Sequence, residues 1–446
     1  VDPAGIVGFY LWGHVPKQFS VIENVRELSA GSYAFVDYKD GIQTRTYFSI
    51  PKLIRETEGS TCTLESDSKR LLRESINNSV VEHLIADVPV ALFLSGGIDS
   101  TVIGCAVRDK SETKVQTLTL GFREFWNTPS DEVLQAQHTS RILGFPHDFL
   151  WVSRSDFLKD LDVYFRVMDQ PTVDGINVYL ISKMAAQMGF KVALSGLGGD
   201  ELFGSYPSFS QVPRIVKIFR YLRANPWFRS AGNGLNQLIS KVFKIPKLAG
   251  LSELSDSFTH AYFLRRALFL PSELDGWLDR EFLETGLRRL NESTSSDGEV
   301  DDLSDPYLKV LALEANNYMR SQLLRDADWA GMAFSLEIRL PFLDQRLLQH
   351  VIGKRKAGIV VQKSDLNSLV FPYLGEALSS QRKRGFMVPI GEWVATSGKS
   401  SSFGGGLRSW APIVMENYLR SIGVSTHSWL GYVNTPLQPV TDNGIN

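Results

Sequence analysis

Two stretches of this sequence end an apolar run in serine, glycine and a carboxylate. VALFLSGGIDST carries Ser95, Gly96, Gly97, Asp99, Ser100 and Thr101 behind its run, and KVALSGLGGDE carries Ser195, Gly196 and Asp200 behind its own. Glycines in such a turn let backbone amides approach an anion, hydroxyls add donors, and a helix starting there points its positive end inward. The first stretch therefore reads as a phosphate cradle. A carboxylate inside it would repel phosphate unless a cation lay between them. Asp99 thus predicts magnesium, with Asp200 completing the same site alongside phosphate oxygens and water. Neither the Gly-Lys-Ser/Thr ending of a P-loop nor the spacing of a dinucleotide fingerprint is present.

Residues so placed need elements to hold them. VPVALFL, VQTLTLGF, HDFLWV and FKVALS are apolar runs of strand length, and amphipathic stretches over 131–143, 156–168 and 176–188 lie between them. The alternation predicts an α/β fold with a doubly wound, mostly parallel sheet, Rossmann-like, in which ligands bind where strands end and helices begin. Both glycine clusters fall at that place. A helix is expected from near Ser66, with Leu71, Leu72, Ile76, Val80 and Leu84 on one face, and a large helical part beyond about residue 207. AYFLRRALFLP reads as a core helix rather than a membrane span, because Arg265 and Arg266 stand at its centre. Residues 1 to about 50, with short apolar or alternating runs such as SYAFVDY and TRTYFSI separated by glycines and by turns such as KDG, look like the last strands of a β-rich layer, 51–66 like a linker, and 291–305 like an acidic loop.

The chain has 446 residues, 47 Lys and Arg against 49 Asp and Glu, and charges that are interspersed rather than blocked. That balance argues against nucleic acid as a partner, and no apolar window reaches the ~20 residues that span a bilayer. Cys62 and Cys105 are too few and too far apart for a zinc site or a disulfide framework, which fits a reducing compartment and predicts a cytoplasmic protein. The first residue is Val1 and no basic head precedes an apolar run, which predicts a fragment or a processed chain.

SGGIDS (95–100) resembles the pyrophosphate-binding loop of the ATP pyrophosphatases, which split ATP between its α and β phosphates and adenylylate a substrate. SGLGGDELFGSY (195–206), GMAFSLEIRLPFLD (331–344) and RKRGFMVPIGEW (382–393) are similar, in that order, to segments of the glutamine-hydrolysing asparagine synthetases. YLWGHVPKQFSVIENVRELSAGSYAFVDY resembles the end of their amino-terminal glutaminase domain. The resemblance implies a glutaminase remnant at 1–55 and a synthetase domain at 56–395, with a sheet core at about 68–206 and a helical part at about 207–395; a weakly patterned tail follows at 396–446. It leaves room for a homodimer. The family's glutaminase nucleophile is an N-terminal cysteine, which neither Cys62 nor Cys105 can be, so this stretch of chain is not expected to hydrolyse glutamine.

Carried over by residue, the resemblance implies that Ser95, Gly96, Gly97, Asp99, Ser100 and Thr101 hold the pyrophosphate of ATP, that Asp99 and Asp200 share magnesium, and that Leu120, Ser195 and Gly196 meet the nucleoside. Lys383 matches the lysine that neutralises charge at the α-phosphate, and Asp328 an aspartate that orients it. Glu337 and Arg339 read as a bracing ion pair, and His147 as a polar residue opening a strand or a family histidine. The expected reaction is attack of the aspartate side chain on ATP, loss of pyrophosphate, and capture of the acyl-adenylate by ammonia to give asparagine and AMP. Another carboxylate acceptor, closed to an amide or lactam, and a non-catalytic nucleotide-binding relative are the alternatives. One departure bears on the acceptor: Leu197 stands where the family has a glutamate placed to take a proton from the incoming nitrogen, and leucine is no base. Asp174 and Glu201 are the candidates to replace it, and with Leu197 they define the expected acceptor pocket. Trp329 stands where a basic residue is common.

Overall fold

The computed structural model describes residues 1–39, 41–59, 65–110, 113, 115–224, 257–293, 298–374, 388–395 and 406–424. A short antiparallel hairpin, β1 (Ser32–Asp37) and β2 (Gly41–Thr46), precedes a five-stranded sheet of β3 (Val90–Phe93), β4 (Gln116–Phe122), β5 (His147–Val152), β6 (Val192–Leu194) and β7 (Glu337–Arg339). The order is β5-β4-β3-β6-β7 and every neighbouring pair is parallel. The four apolar runs supply the first four strands. β7 is the strand the sequence did not announce: only Ile338 of its three residues is apolar, because an edge strand needs one inward side chain.

Alternation along β3 and β6 divides the interior. Ala91 and Ala193 face one core, while Val90, Leu92, Val192 and Leu194 face the other. Small residues on one side and branched ones on the other let helices pack on both faces, which is the doubly wound arrangement. The helices used below are α1 (Pro3–Trp12), α2 (Glu65–His83), α3 (Ile98–Lys110), α4 (Val133–Leu143), α5 (Arg154–Val167), α6 (Ile176–Gln187), α7 (Gly199–Leu202), α8 (Ser208–Ala224), α9 (Phe258–Arg266), α10 (Arg280–Ser293), α11 (Pro306–Glu314), α12 (Arg325–Met332), α13 (Gln345–Lys356) and α14 (Leu407–Ser421). Leu72, Ile76 and Val80 of α2 enter the second core with Val102 and Ile103 of α3, as their spacing predicts.

Three expectations are corrected. The opening residues form α1, capped by Asp2, whose side chain accepts from Ala4 N, and stopped by Gly13 at φ 83°. Being apolar all round, this helix is buried, and it packs in the same core as Tyr164, Tyr179 and Ala193, with Asp2 paired to Arg289 at 2.8 Å. A boundary at residue 55 therefore does not separate it from the sheet; only the hairpin is β-rich. The tail also contains α14, whose Trp410, Ala411, Val414, Met415, Tyr418 and Leu419 are buried in that core at helical spacing. In the acidic segment, α10 runs on to Ser293 and Gly298–Asp301 is helical. Among the described residues no helix is long and apolar enough to cross a membrane.

Candidate active site

A cleft of about 1040 Å³ opens at the carboxyl ends of the strands, lined by the loops after β3 and β6. In the first loop Gly96 takes φ 73°, and a Cβ there would come within 2.8 Å of the Gln135 side chain. Gln135 in turn donates to Gly96 O at 2.7 Å, tying α4 to the turn. The Ser95 and Ser100 hydroxyls lie 3.3 Å apart, and Ser95 Oγ accepts from Gly97 N at 3.3 Å. Ser95, Gly96, Gly97, Asp99 and Ser100 all face the cleft. Thr101 does not, which corrects its assignment. One residue further round α3, it is fully buried and its hydroxyl donates back to Gly97 O at 2.8 Å.

The glycines of the second loop have a different purpose. A Cβ on Gly199 would sit 2.5 Å from Asp99 Oδ1, and one on Gly196 would sit 3.0 Å from Asp99 Cβ and Ser100 N. The second loop thus lies directly on the first, which brings Asp99 and Asp200 together. Between them stands Lys363, from the 3₁₀ turn Lys363–Leu366, bonded through Nζ to Asp99 Oδ2 and Asp200 Oδ1. Burial opposes its charge, but the two aspartates hold its pKa above the ordinary lysine value. Two carboxylates converging on one ammonium form a position for a cation. Magnesium fits that donor set, since it takes one or two carboxylates and fills the rest of its shell with phosphate and water. Among the described residues no cluster of three or more acidic, His or Cys ligands exists to form a closed metal cage.

Leu120, Ser195, Gly196, Leu197, Asp200 and Glu201 also line the cleft. Glu201 is buried and accepts from the Tyr206 hydroxyl at 2.9 Å; burial pushes its carboxyl up to about 7 against that bond. Asp174 is not in the wall. Its Oδ1 accepts from Gly175 N at 3.0 Å behind the cleft, and burial raises its pKa. Asp328 is also turned away: on α12 it is exposed, and the buried aspartate two residues earlier is Asp326, which accepts from Thr172 and Trp329 at 3.0 Å each. Two residues advance a helix by roughly 200°, so only one of these aspartates can face inward. Lys383 lies outside the described residues. The Glu337–Arg339 pair forms at 2.9 Å, with Arg339 also donating to His83 O and Ile85 O, so it braces β7 against the end of α2. His147 bonds Thr117 Oγ1 at 2.9 Å at the start of β5 and does not reach the cleft.

Lys363 was not found from the sequence, and no spacing could have found it, because it lies 264 residues from Asp99 and 163 from Asp200. Glu132, also in the wall, was likewise missed. Burial, reinforced by Asp131, pushes its carboxyl from 4.5 up to about 8. Below both values the folded and unfolded chains hold this proton equally. As pH rises the unfolded chain ionises first, so stability falls until about pH 8 and then levels off. At ~1.4 kcal/mol per pKa unit, Glu132→Gln should recover roughly 2–4 kcal/mol at about pH 8.5 and almost nothing at about pH 4. Urea unfolding at the two pH values checks this; equal gains at both would overturn it.

Interlocked glycine loops at the carboxyl edge of a parallel sheet, with paired aspartates around the Lys363 ammonium, form the floor of the cleft. The asparagine synthase family model matches residues 71–420, and the chain belongs to that family. It is similar to a putative glutamine-hydrolysing asparagine synthetase of Mycobacterium tuberculosis, 27% identical over 88% of this chain and 59% of the relative. Asparagine synthetase 1 of Bacillus subtilis is 27% identical over 88% of this chain and 60% of its own, and asparagine synthetase B of Escherichia coli 29% over 47% and 39%. The chain thus spans about three fifths of the length of the Mycobacterium and Bacillus relatives. Among solved structures, the NH3-dependent NAD synthetase of Campylobacter jejuni aligns with 46% of this chain and 94% of that one at 16% identity, with a TM-score of 0.23, too low to carry an argument.

Proposed function

We propose that the chain is an ATP-dependent, amide-forming ligase that adenylylates a carboxylate with release of pyrophosphate and then passes the acyl group to ammonia or an amine. The observation that carries this reading is the convergence of Asp99 and Asp200 on one cation position beside the Ser95–Ser100 hydroxyls. ATP would lie with its pyrophosphate in the first loop and its nucleoside between Leu120 and Ser195–Gly196. Magnesium, held by Asp99 and Asp200, would supply positive charge to the phosphates. An oxygen of the acceptor carboxylate attacks the α-phosphorus and pyrophosphate leaves; nitrogen then attacks the acyl carbon and AMP leaves. By resemblance, Lys383 neutralises charge on the α-phosphate. Of the two carboxylates that follow Leu197 in the cleft wall, Asp200 is committed to the cation position, and Glu201 takes up the proton released by the attacking nitrogen.

For the acceptor, the relatives' names point to aspartate, with asparagine as product and ammonia drawn from glutamine in a fuller chain. A second reading, another carboxylate closed to an amide or lactam, is favoured by Leu197 in the cleft wall. A cytoplasmic setting goes with either. Pyrophosphate release from magnesium-ATP with ammonium present, scanned over aspartate and other carboxylates, is the test. Release is expected; its absence with every acceptor sinks the reading, and release without asparagine selects the second acceptor class.

A further inference from the structure

Two adjacent carboxylates of α7 stand in the cleft wall, and each is held by a hydroxyl five residues further along the chain. Ser205 donates to Asp200 Oδ1, and Tyr206 donates to Glu201 Oε1 at 2.9 Å. The spacing follows from a tight reversal. Helix α7 closes after Leu202, Gly204 takes φ 61°, and a Cβ there would meet the Tyr307 side chain of α11 at 2.5 Å, so the chain turns back onto the helix it has just left. Ser205 N then donates to Asp200 O at 3.0 Å, which sets the two hydroxyls beside the two carboxylates.

The two clasps are built differently. Asp200 Oδ1 is also the oxygen that bonds Lys363 Nζ at the cation position, so the Ser205 hydroxyl engages one lone pair of that oxygen and leaves the other directed at the cation. Tyr206 is braced from the far side. The Arg266 guanidinium lies 4.5 Å over its ring, and the Tyr318 ring meets it edge-on with centroids 5.9 Å apart. Arg266 is itself fixed by the buried Glu314. A ring so confined holds its hydroxyl in place, and the hydroxyl holds the Glu201 carboxylate at one rotation. We infer that Ser205 and Tyr206 are positioning residues for different steps: Ser205 sets Asp200 toward the metal for adenylylation, and Tyr206 sets Glu201 for proton uptake when nitrogen captures the acyl group. This rests on the synthetase reading above, and it adds that single substitutions separate the two steps.

The test measures pyrophosphate release and amide formation together, from magnesium-ATP, ammonium and the carboxylate that gives most release, with the thermal midpoint of each variant as a control. Ser205→Ala should raise the magnesium concentration for half-maximal release by about tenfold, the low end of what a metal site loses with a ligand's hydrogen-bond partner. Its yield of amide per pyrophosphate should match the parent's. Tyr206→Phe removes one oxygen and keeps the ring under Arg266. It should lower amide per pyrophosphate by about tenfold at subsaturating ammonium, because the acyl-adenylate is lost to water, and excess ammonium should restore part of that ratio. A general base contributes ~10²–10⁴ in rate, and this variant removes only its placement. In a Glu201→Gln background Tyr206→Phe should change the ratio no further, since a residue that acts through another has no separate effect once that other is gone. Parent values in both variants, the same shifts in both, or an additive effect beside Glu201→Gln each overturn the inference and leave the synthetase reading standing. A folded parent that releases no pyrophosphate with any carboxylate overturns both.

Discussion

Asp99→Asn is expected to lower pyrophosphate release by about 100-fold or more while leaving the fold intact. Removing one preorganised group from a site where phosphate charge develops typically costs 10²–10³ in rate, about 2.7–4 kcal/mol. Asn is the right probe because the space is tight: the second loop lies so close that even a methyl on Gly199 would meet Asp99 Oδ1 at 2.5 Å. An isosteric amide keeps that packing and removes only the charge. Lys363 would retain Asp200, so the loop should stay closed while one of the two anionic ligands is lost. The measurement is pyrophosphate release at saturating magnesium-ATP, with the thermal midpoint as a control. Turnover within about threefold of the parent would refute the assignment of Asp99 to the metal position.

How much of this was legible in the sequence follows from which forces are local. Strands β3, β4 and β6 were readable because a parallel strand covered on both faces must be apolar along most of its length, and the serine-glycine turns behind β3 and β6 are dictated by backbone geometry at the strand ends. α1 was misread because a helix that is apolar on all sides has no stripe; its signals were instead the Asp2–Pro3 start and the Gly13 stop. Asp328 was placed by resemblance, whereas the phase of α12 puts Asp326 inward. The purpose of Gly196 and Gly199 and the identity of Lys363 both depend on which loops touch, and contact between distant segments leaves no period in the chain. Leu197 could be seen as a departure from the sequence alone. That Ile338 of the unforeseen β7 and Val178 and Ile181 of α6 share its cleft wall could not.

Arg266→Met should destabilise the protein by roughly 3–5 kcal/mol, the usual cost of leaving a buried ion without its partner. Glu314, at the end of α11, is 0% exposed and is held by Arg266 through two bonds, Nε to Oε1 at 3.1 Å and Nη2 to Oε2 at 2.7 Å. Tyr262 donates at 3.0 Å and Ser208 also bonds it, but two hydroxyls cannot balance a full negative charge. Burial works against the Arg266 charge and Glu314 more than restores it. The guanidinium also lies 3.9 Å over the ring of Tyr318 and 4.5 Å over that of Tyr206, and Tyr206 carries the hydroxyl that fixes Glu201 in the cleft. The ion pair therefore supports the site as well as α8, α9 and α11. Arg266→Lys keeps the charge but not the two-pronged fit, so it should recover only part of the loss. In the double variant Arg266→Met with Glu314→Gln no buried charge remains, and most of the loss should return. Urea unfolding of the three variants decides: a double variant as unstable as Arg266→Met alone would mean that packing on Tyr206 and Tyr318, rather than the buried charge, is what Arg266 contributes.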